Sequence, residues 1–478
     1  MTFPTGRNSS RSICRKSFEP LFNHRAPARF AALCGAVLAL VLTPRTVPAQ
    51  EGIATATLPK DGLQIRTVSL YEVYYSNGLS NAGGILPGAA SIPSDVGVGG
   101  SAVLEWTKFN ERSTFSLTYT PAYAARIRYS SLDALNHALA LNMSRRLAPR
   151  WNFSFAMSGD DSSIEQFLFS PTTLSNIASV PSNFHDLTSA MLAANFSNNP
   201  QLGVAVTNSP LIETPLRELL YGTRMFTASL QTSLSYSFSP RLAVTFSGGG
   251  SRSQHISDNQ ALTAGTSYLL ADSTSGTAGV TISYSLSPQT QLGGSATTNR
   301  VSSAQMDAYT STTLATLGRT LGRRWFMQLH GGIGFTNAAR QASLIVSTSP
   351  RPAVGGSLGF RTFSSTLLGS FDRTVSDSYG LGASASNNAN ATWRWRLPGF
   401  PWSLEGSLGW QRTEGAALTN TSGWRATAGW NWALGTGTAL AVQYAYLSYS
   451  GGFLQSANHL TQSALRISVV WTPRLVLH

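Results

Sequence analysis

The stretch Phe226-Thr-Ala-Ser-Leu-Gln-Thr-Ser-Leu-Ser-Tyr-Ser-Phe238 (FTASLQTSLSYSF) decides how this chain folds. Its even positions are Phe226, Ala228, Leu230, Thr232, Leu234, Tyr236 and Phe238, and its odd positions are Thr227, Ser229, Gln231, Ser233, Ser235 and Ser237. Successive side chains of a β-strand point to opposite faces. This segment is therefore a ribbon with one apolar, aromatic-tipped face and one face of hydroxyls and an amide. The same period recurs. Trp424, Ala426, Ala428, Trp430, Trp432 and Leu434 alternate with Arg425, Thr427, Gly429, Asn431 and Ala433. So do Trp151, Phe153, Phe155 and Met157 with small polar residues, then Trp402, Leu404, Leu408 and Trp410, and Leu465, Ile467, Val469 and Trp471.

Soluble β-sandwiches alternate too, with the apolar face turned to a core. Here the ribbons run roughly 10 to 14 residues, longer than the usual five or six. Aromatic residues gather at their ends, as they do in the interfacial girdles of membrane barrels. The residues expected to face lipid or form girdles are Trp151, Phe153, Phe226, Tyr236, Trp402, Trp410, Trp424, Trp430, Trp432 and Trp471.

Composition agrees. Only 12% of the 478 residues are charged, aromatics are 10%, and glycines number 43. A charged share near half that of a soluble domain suits a surface shown largely to lipid. Yet no run after residue 50 reaches the 18 or so apolar residues of a membrane helix.

Phe30–Leu42 (FAALCGAVLALVL) has the length of a signal-peptide core, with basic residues before it. Val47-Pro48-Ala49 puts small residues at −3 and −1, so residues 1–49 are expected to be a signal peptide cleaved after Ala49. That leader holds both cysteines, Cys14 and Cys34, so the exported chain cannot use disulfides. It also holds seven cations against Glu19, or +6 of the net +13, leaving +7. Those remaining are dispersed and nearly all arginine, with only Lys60 and Lys108 as lysines, so no basic patch suggests nucleic acid.

Short and long connections alternate. Asn110–Arg112, Leu147–Arg150, Ser239–Arg241, Ser287–Gln289, Leu321–Arg323, Pro398–Pro401 and Gly435–Gly437 carry the Gly, Pro, Asn and Ser of tight turns. Long connections fall at 77–97, 123–134, 160–222, 254–274, 337–350 and 451–459. Short turns inside and long loops outside are the outer-membrane rule. Strands are expected near 65–75, 98–109, 113–122, 135–146, 150–159, 223–238, 241–253, 276–286, 290–302, 308–320, 324–336, 351–362, 365–376, 381–397, 401–412, 422–434, 438–450 and 460–472. The fold expected is thus an all-β transmembrane antiparallel barrel of about 18 strands over 65–474, after a periplasmic segment at 50–64. Alternation is weakest over 65–75, 290–302 and 308–320, and sixteen strands is the alternative count. Within the long loop 160–222, Phe184–Asn195 and Leu211–Tyr221 have helix-like spacing. That loop is a candidate lumen constriction or an external cap.

No catalytic constellation emerges. His24, His137, His185, His255, His330, His459 and His478 form no close pair, and no GxSxG elbow accompanies the many serines. His137 falls on a lipid or interfacial face, His330 on the lumen face, and His185 and His255 in loops. Gly248-Gly249-Gly250 precedes neither Lys-Ser/Thr nor a helix, so it is no phosphate loop. No cofactor, metal or enzymatic activity is expected. Five charges fall on inward faces of late strands: Arg394, Arg396, Glu405, Arg425 and Arg466. They would make an arginine-lined wall favouring anions, or a self-satisfied network with Glu405 and Asp372.

The hairpins Ser235-Tyr-Ser-Phe-Ser-Pro-Arg241 and Ser283-Tyr-Ser-Leu-Ser-Pro-Gln289 resemble those of bacterial outer-membrane β-barrel proteins of the porin-like kind. They are similar to hairpins of porins encoded with exopolysaccharide export systems. The resemblance implies an outer-membrane pore passing small solutes or polysaccharide, with membrane lipid and the barrel-assembly machinery as partners. A surface structural or adhesive barrel with a blocked lumen, whose loops bind partners, is the alternative. Typical members end on an aromatic residue read during insertion, whereas this chain ends Arg474-Leu-Val-Leu-His478, with Trp471 its last aromatic.

Overall fold

The computed structural model describes residues 61–76, 94–127, 133–163, 224–257, 272–303, 306–322, 324–341, 350–377, 383–396, 398–415, 418–435, 437–453, 456–473 and 476–477. Every element among them is a strand. In chain order they are β1 (Gly62–Tyr75), β2 (Asp95–Asn110), β3 (Ser113–Arg126), β4 (Ala134–Ala148), β5 (Trp151–Ser163), β6 (Arg224–Ser237), β7 (Leu242–Ser257), β8 (Ser273–Ser287) and β9 (Thr290–Ser303). Then follow β10 (Met306–Leu321), β11 (Trp325–Gln341), β12 (Arg351–Arg361), β13 (Ser365–Asp377), β14 (Ala383–Arg396), β15 (Trp402–Gly415), β16 (Leu418–Gly435), β17 (Thr438–Phe453), β18 (Ser456–Trp471) and the two-residue β19 (Val476–Leu477).

Each long strand pairs antiparallel with the next, and β1 also pairs with β18, Val68 opposite Trp471 through Tyr75 opposite Ala464. The eighteen long strands thus close into one barrel. Closure removes the unpaired strand edge that would otherwise template aggregation. β19 extends the seam, Leu477 facing Leu63 and Val476 facing Gln64.

Burial runs opposite to that of a soluble protein. Among the described residues, 23 of the buried side chains are polar or charged and 11 are apolar. The buried set lies on inward positions, while Leu230, Phe246, Ile282, Leu329, Leu358, Leu408, Trp430 and Ile467 stand exposed on the outside. Only a solvent less polar than water makes that distribution stable, because each exposed apolar side chain would otherwise cost about 1.5–3 kcal/mol relative to burial. The inner face satisfies itself by pairing hydroxyls across neighbouring strands. Ser154–Ser233 (2.6 Å), Ser158–Ser229 (2.7 Å), Ser251–Ser275 (2.7 Å) and Ser407–Thr427 (2.6 Å) are examples.

All eighteen expected strands are present, and most run further than expected at the end of the long connections. The strand expected at 276–286 spans Ser273–Ser287, that at 422–434 spans Leu418–Gly435, and that at 460–472 spans Ser456–Trp471. Outside the apolar band the side chains no longer need to alternate, but backbone pairing continues because it depends on N–H and C=O groups alone. Residues 160–163 accordingly belong to β5, while 164–223 and the leader lie outside the described residues. His255, expected in a loop, lies within β7.

β1 turns a charge outward where aromatic residues take the inner face. In β1, Glu72 pairs with Ile467 and Val98 on the exterior, alongside Leu70 and Tyr74, while Tyr71, Val73 and Tyr75 face in. Leu70 is 66% exposed and Val73 only 1%. The reason lies inside, where Tyr71 and Tyr75 each receive a guanidinium.

Candidate functional site

The inner wall carries the barrel's ordered charge. Hydrogen-bond register places one continuous row across it: Arg394 (β14) opposite Glu405 (β15), then Gly429 (β16), Gln443 (β17), Arg466 (β18), Val73 (β1), Gly97 (β2) and Arg126 (β3). Glu405 is buried and leans across Gly429, where a Cβ would meet its Oε1 at 3.2 Å. Asn431 Nδ2 donates to that oxygen at 2.8 Å. Arg466, 3% exposed, lies 4.1 Å from the centroid of the Tyr71 ring. Arg126 lies 3.7 Å from that of Tyr75 and 3.4 Å from Asp95 Oδ2. A guanidinium over an aromatic face gains about 0.5–2 kcal/mol, more when water is excluded.

A second inner cluster sits on β11–β13. His330 Nε2 lies 3.0 Å from Asp372 Oδ1, and the two meet above Gly355. A Cβ at that glycine would collide with Asp372 and fall 2.6 Å from His330 Nε2, so only glycine leaves the space. Tyr71 crosses Gly99 in the same manner, with its Oη 2.5 Å from where a Cβ would stand.

The five charges read from the sequence all hold inward positions. Arg394 and Arg396 occupy the short-turn end of β14, with Arg396 opposite buried Ser403; Glu405 lies beside them, and Arg425 and Arg466 are buried in β16 and β18. Asp372, expected in a network with them, pairs instead with His330. His330 is on the lumen face and His137 on the outer one, its Nδ1 2.8 Å from the Tyr119 hydroxyl. The ten aromatic positions share the exterior face. Trp151 packs against Tyr236 at 4.6 Å, Trp430 against Trp432 at 5.8 Å, and Trp410 against Trp424 at 6.2 Å between centroids. Tyr71, Tyr75, Arg126 and Asp95 were not legible as site residues. The one signal was Tyr71 and Tyr75, four residues apart and so on one face of their strand. Among the described residues, no group of three His, Cys, Asp or Glu could hold a metal ion.

A closed barrel of eighteen strands, apolar without and hydroxyl-lined within, has the architecture of a membrane-spanning β-barrel. No family model matches the chain, and no curated protein matches it. Among solved structures it is similar to Pseudomonas aeruginosa OccK2 (OpdF) in complex with glucuronate, at 11% identity and TM-score 0.45, covering 86% of this chain and 100% of that one. It is also similar to Acinetobacter baumannii OccAB4, at 10% identity and TM-score 0.41, covering 87% and 99%. A BenF-like porin from Pseudomonas fluorescens Pf-5 is similar at 9% identity and TM-score 0.41, covering 86% and 99%.

Proposed function

We propose that the chain forms a pore through the outer membrane that passes small solutes, with a preference for anions. The observation that carries the reading is the inner face, where among the described residues 23 buried side chains are polar or charged against 11 apolar ones, while large apolar side chains stand exposed on the outer face. Eighteen strands enclose a lumen wide enough for water. Arg394 and Arg396 stand on that wall at the short-turn end, and Arg396 is exposed. Fixed charge in a confined passage concentrates counter-ions. Export of an anionic polysaccharide is the larger-substrate version of the same chemistry. Delivery by the barrel-assembly machinery, after removal of residues 1–49, belongs to this reading.

One observation favours a second reading, a blocked surface barrel whose loops bind partners. Gln291, Ser295, Thr310, Arg425 and Arg466 all face inward and yet are buried. Single-channel recording of the purified protein in a planar bilayer separates the two. Stepwise conductance with a reversal potential displaced toward anions supports the pore. Protein that inserts, as shown by protease protection, and never conducts supports the blocked barrel.

A further inference from the structure

Four arginines toward the long-connection end of their strands stand on the wrong side of the wall for a lumen charge. Arg252 (β7) shares its face with exposed Phe246 and Ile256, and Arg300 (β9) with exposed Leu292. Arg373 (β13) pairs with exposed Val354, and Arg412 (β15) shares the face of exposed Leu408. They form two pairs, each bracketing one strand. Arg252 faces Thr274 and Arg300 faces Gly276, adjacent exterior positions of β8. Asn387 of β14 lies between Arg373 and Arg412 in a single row. Two strand spacings, about 9.6 Å, separate the members of each pair laterally.

Their height is common as well. Arg252, Arg300 and Arg412 stand ten residues beyond the start of their strands at the short turns, and Arg373 eight. A strand tilted about 40° climbs about 2.5 Å per residue, so all four emerge about 20–25 Å above the short turns. That is the height of the apolar band, about 25 Å. The guanidiniums therefore surface at the long-connection edge, which barrels of this class turn to the outer leaflet.

The wall beneath the first pair is bare. Gly248, Gly250, Gly276, Ala278, Thr298 and Ser311 line it, and the last two close on each other at 3.1 Å between hydroxyls. Phe246 and Phe335 flank this shelf. Above it, Arg300 is half exposed, held 2.8 Å from Asp307 and 5.1 Å over the Tyr309 ring. Arg252 is exposed, and no acid among the described residues pairs with it.

We propose that this exterior face docks a phosphorylated glycolipid of the outer leaflet, its phosphoryl oxygens on Arg252 and Arg300 and its acyl chains along the shelf. A two-fold pairing with a second copy through the same face would set the acid-free Arg252 against a like charge, whereas phosphate complements it and can share Arg300 with Asp307. The inference rests on the reading of the chain as an outer-membrane barrel. Failure to insert into vesicles would end that reading, while insertion without lipid preference would end only this one.

The test is native mass spectrometry of the full mature barrel in maltoside micelles, titrated with diphosphoryl lipid A or with the same lipid stripped of its phosphates. The wild type should bind the diphosphoryl form at least about tenfold more tightly. R252S/R300S should lose that preference, while R145S, an exterior arginine at the opposite edge, should keep it. Heat-dependent gel migration shows which variants are folded. If R252S/R300S does not fold, the wild-type comparison of the two lipids decides alone. Equal wild-type affinity for both lipids, or an unchanged preference in folded R252S/R300S, overturns the proposal. So does a lipid-free oligomer that R252S/R300S abolishes.

Discussion

Replacing Ala428 with Arg tests the two-sided wall at its most exacting point. Ala428 lies on the exterior of β16 between Gly406 and Tyr444, seven residues before Gly435. At about 2.5 Å of climb per residue it sits about 17 Å above the short turn, well inside the apolar band. An arginine near the midplane costs about 2–4 kcal/mol. The row offers it no acid, since its neighbours are glycine and tyrosine. Thr427, one residue away, faces inward and shares a 2.6 Å hydrogen bond with Ser407. Thr427→Arg forfeits that bond, about 1 kcal/mol, and leaves its charge in polar surroundings. The adjacent substitutions should therefore differ by about 1–3 kcal/mol, roughly 5- to 150-fold in the folding equilibrium. Urea titration of both variants in phospholipid vesicles, with folding read from heat-dependent gel mobility, gives the comparison. Equal losses at 427 and 428, or a greater loss at 427, would refute the assignment of faces.

Gly355→Val should drive His330 and Asp372 apart and destabilise the barrel by about 1–3 kcal/mol in the same titration; a stability matching the wild type would show that the space above Gly355 is not needed. Arg394→Ser with Arg396→Ser should move the reversal potential toward cations, and the difference from the wild type should shrink as the Debye length falls to about 3 Å in 1 M salt. Cysteines at positions 264 and 455 should react with an impermeant maleimide on intact cells, and cysteines at Pro240 and Pro288 should not; labelling at Pro240 would invert the orientation.

The part of the fold that the sequence discloses is the part enforced by lipid. Along Phe226–Phe238 or Trp424–Leu434 each side chain must suit one of two solvents, and that demand writes a two-residue period anyone can read. Beyond the apolar band the demand lapses, so the outer ends of β8, β16 and β18 carry no period although they remain paired. Partnerships across the wall are hidden for another reason. That His330 meets Asp372 depends on two successive registers, β11 with β12 and β12 with β13, and on the missing Cβ of Gly355. Reading along the chain instead suggested Asp372 as a companion for the arginines. β1 misleads outright. Charge alone would turn Glu72 inward, but Arg466 and Arg126 claim the inner side for Tyr71 and Tyr75, and Glu72 takes the face that is left. The four exterior arginines at the long-connection edge escape the same rule, because it weakens where the strand leaves the hydrocarbon.

The seam between β1 and β18 has a consequence for how the protein is made. Tyr75 and Ala464 are partners 389 residues apart, whereas every other neighbouring pair of long strands is consecutive in the chain, the widest being β5 with β6, where Ser163 faces Arg224. Seventeen of the eighteen junctions thus join consecutive strands, sixteen of them across short or moderate connections of small loop-closure entropy. The last must wait, since β18 is the last long strand of the barrel to appear. Until then any sheet that has formed presents two raw edges, one of them β1, to whatever else can pair with a strand. The chain must be held, unfinished, from the appearance of Gly62 to the arrival of Trp471. A protein shortened at either terminal strand would lose the only contact that turns a ribbon into a ring.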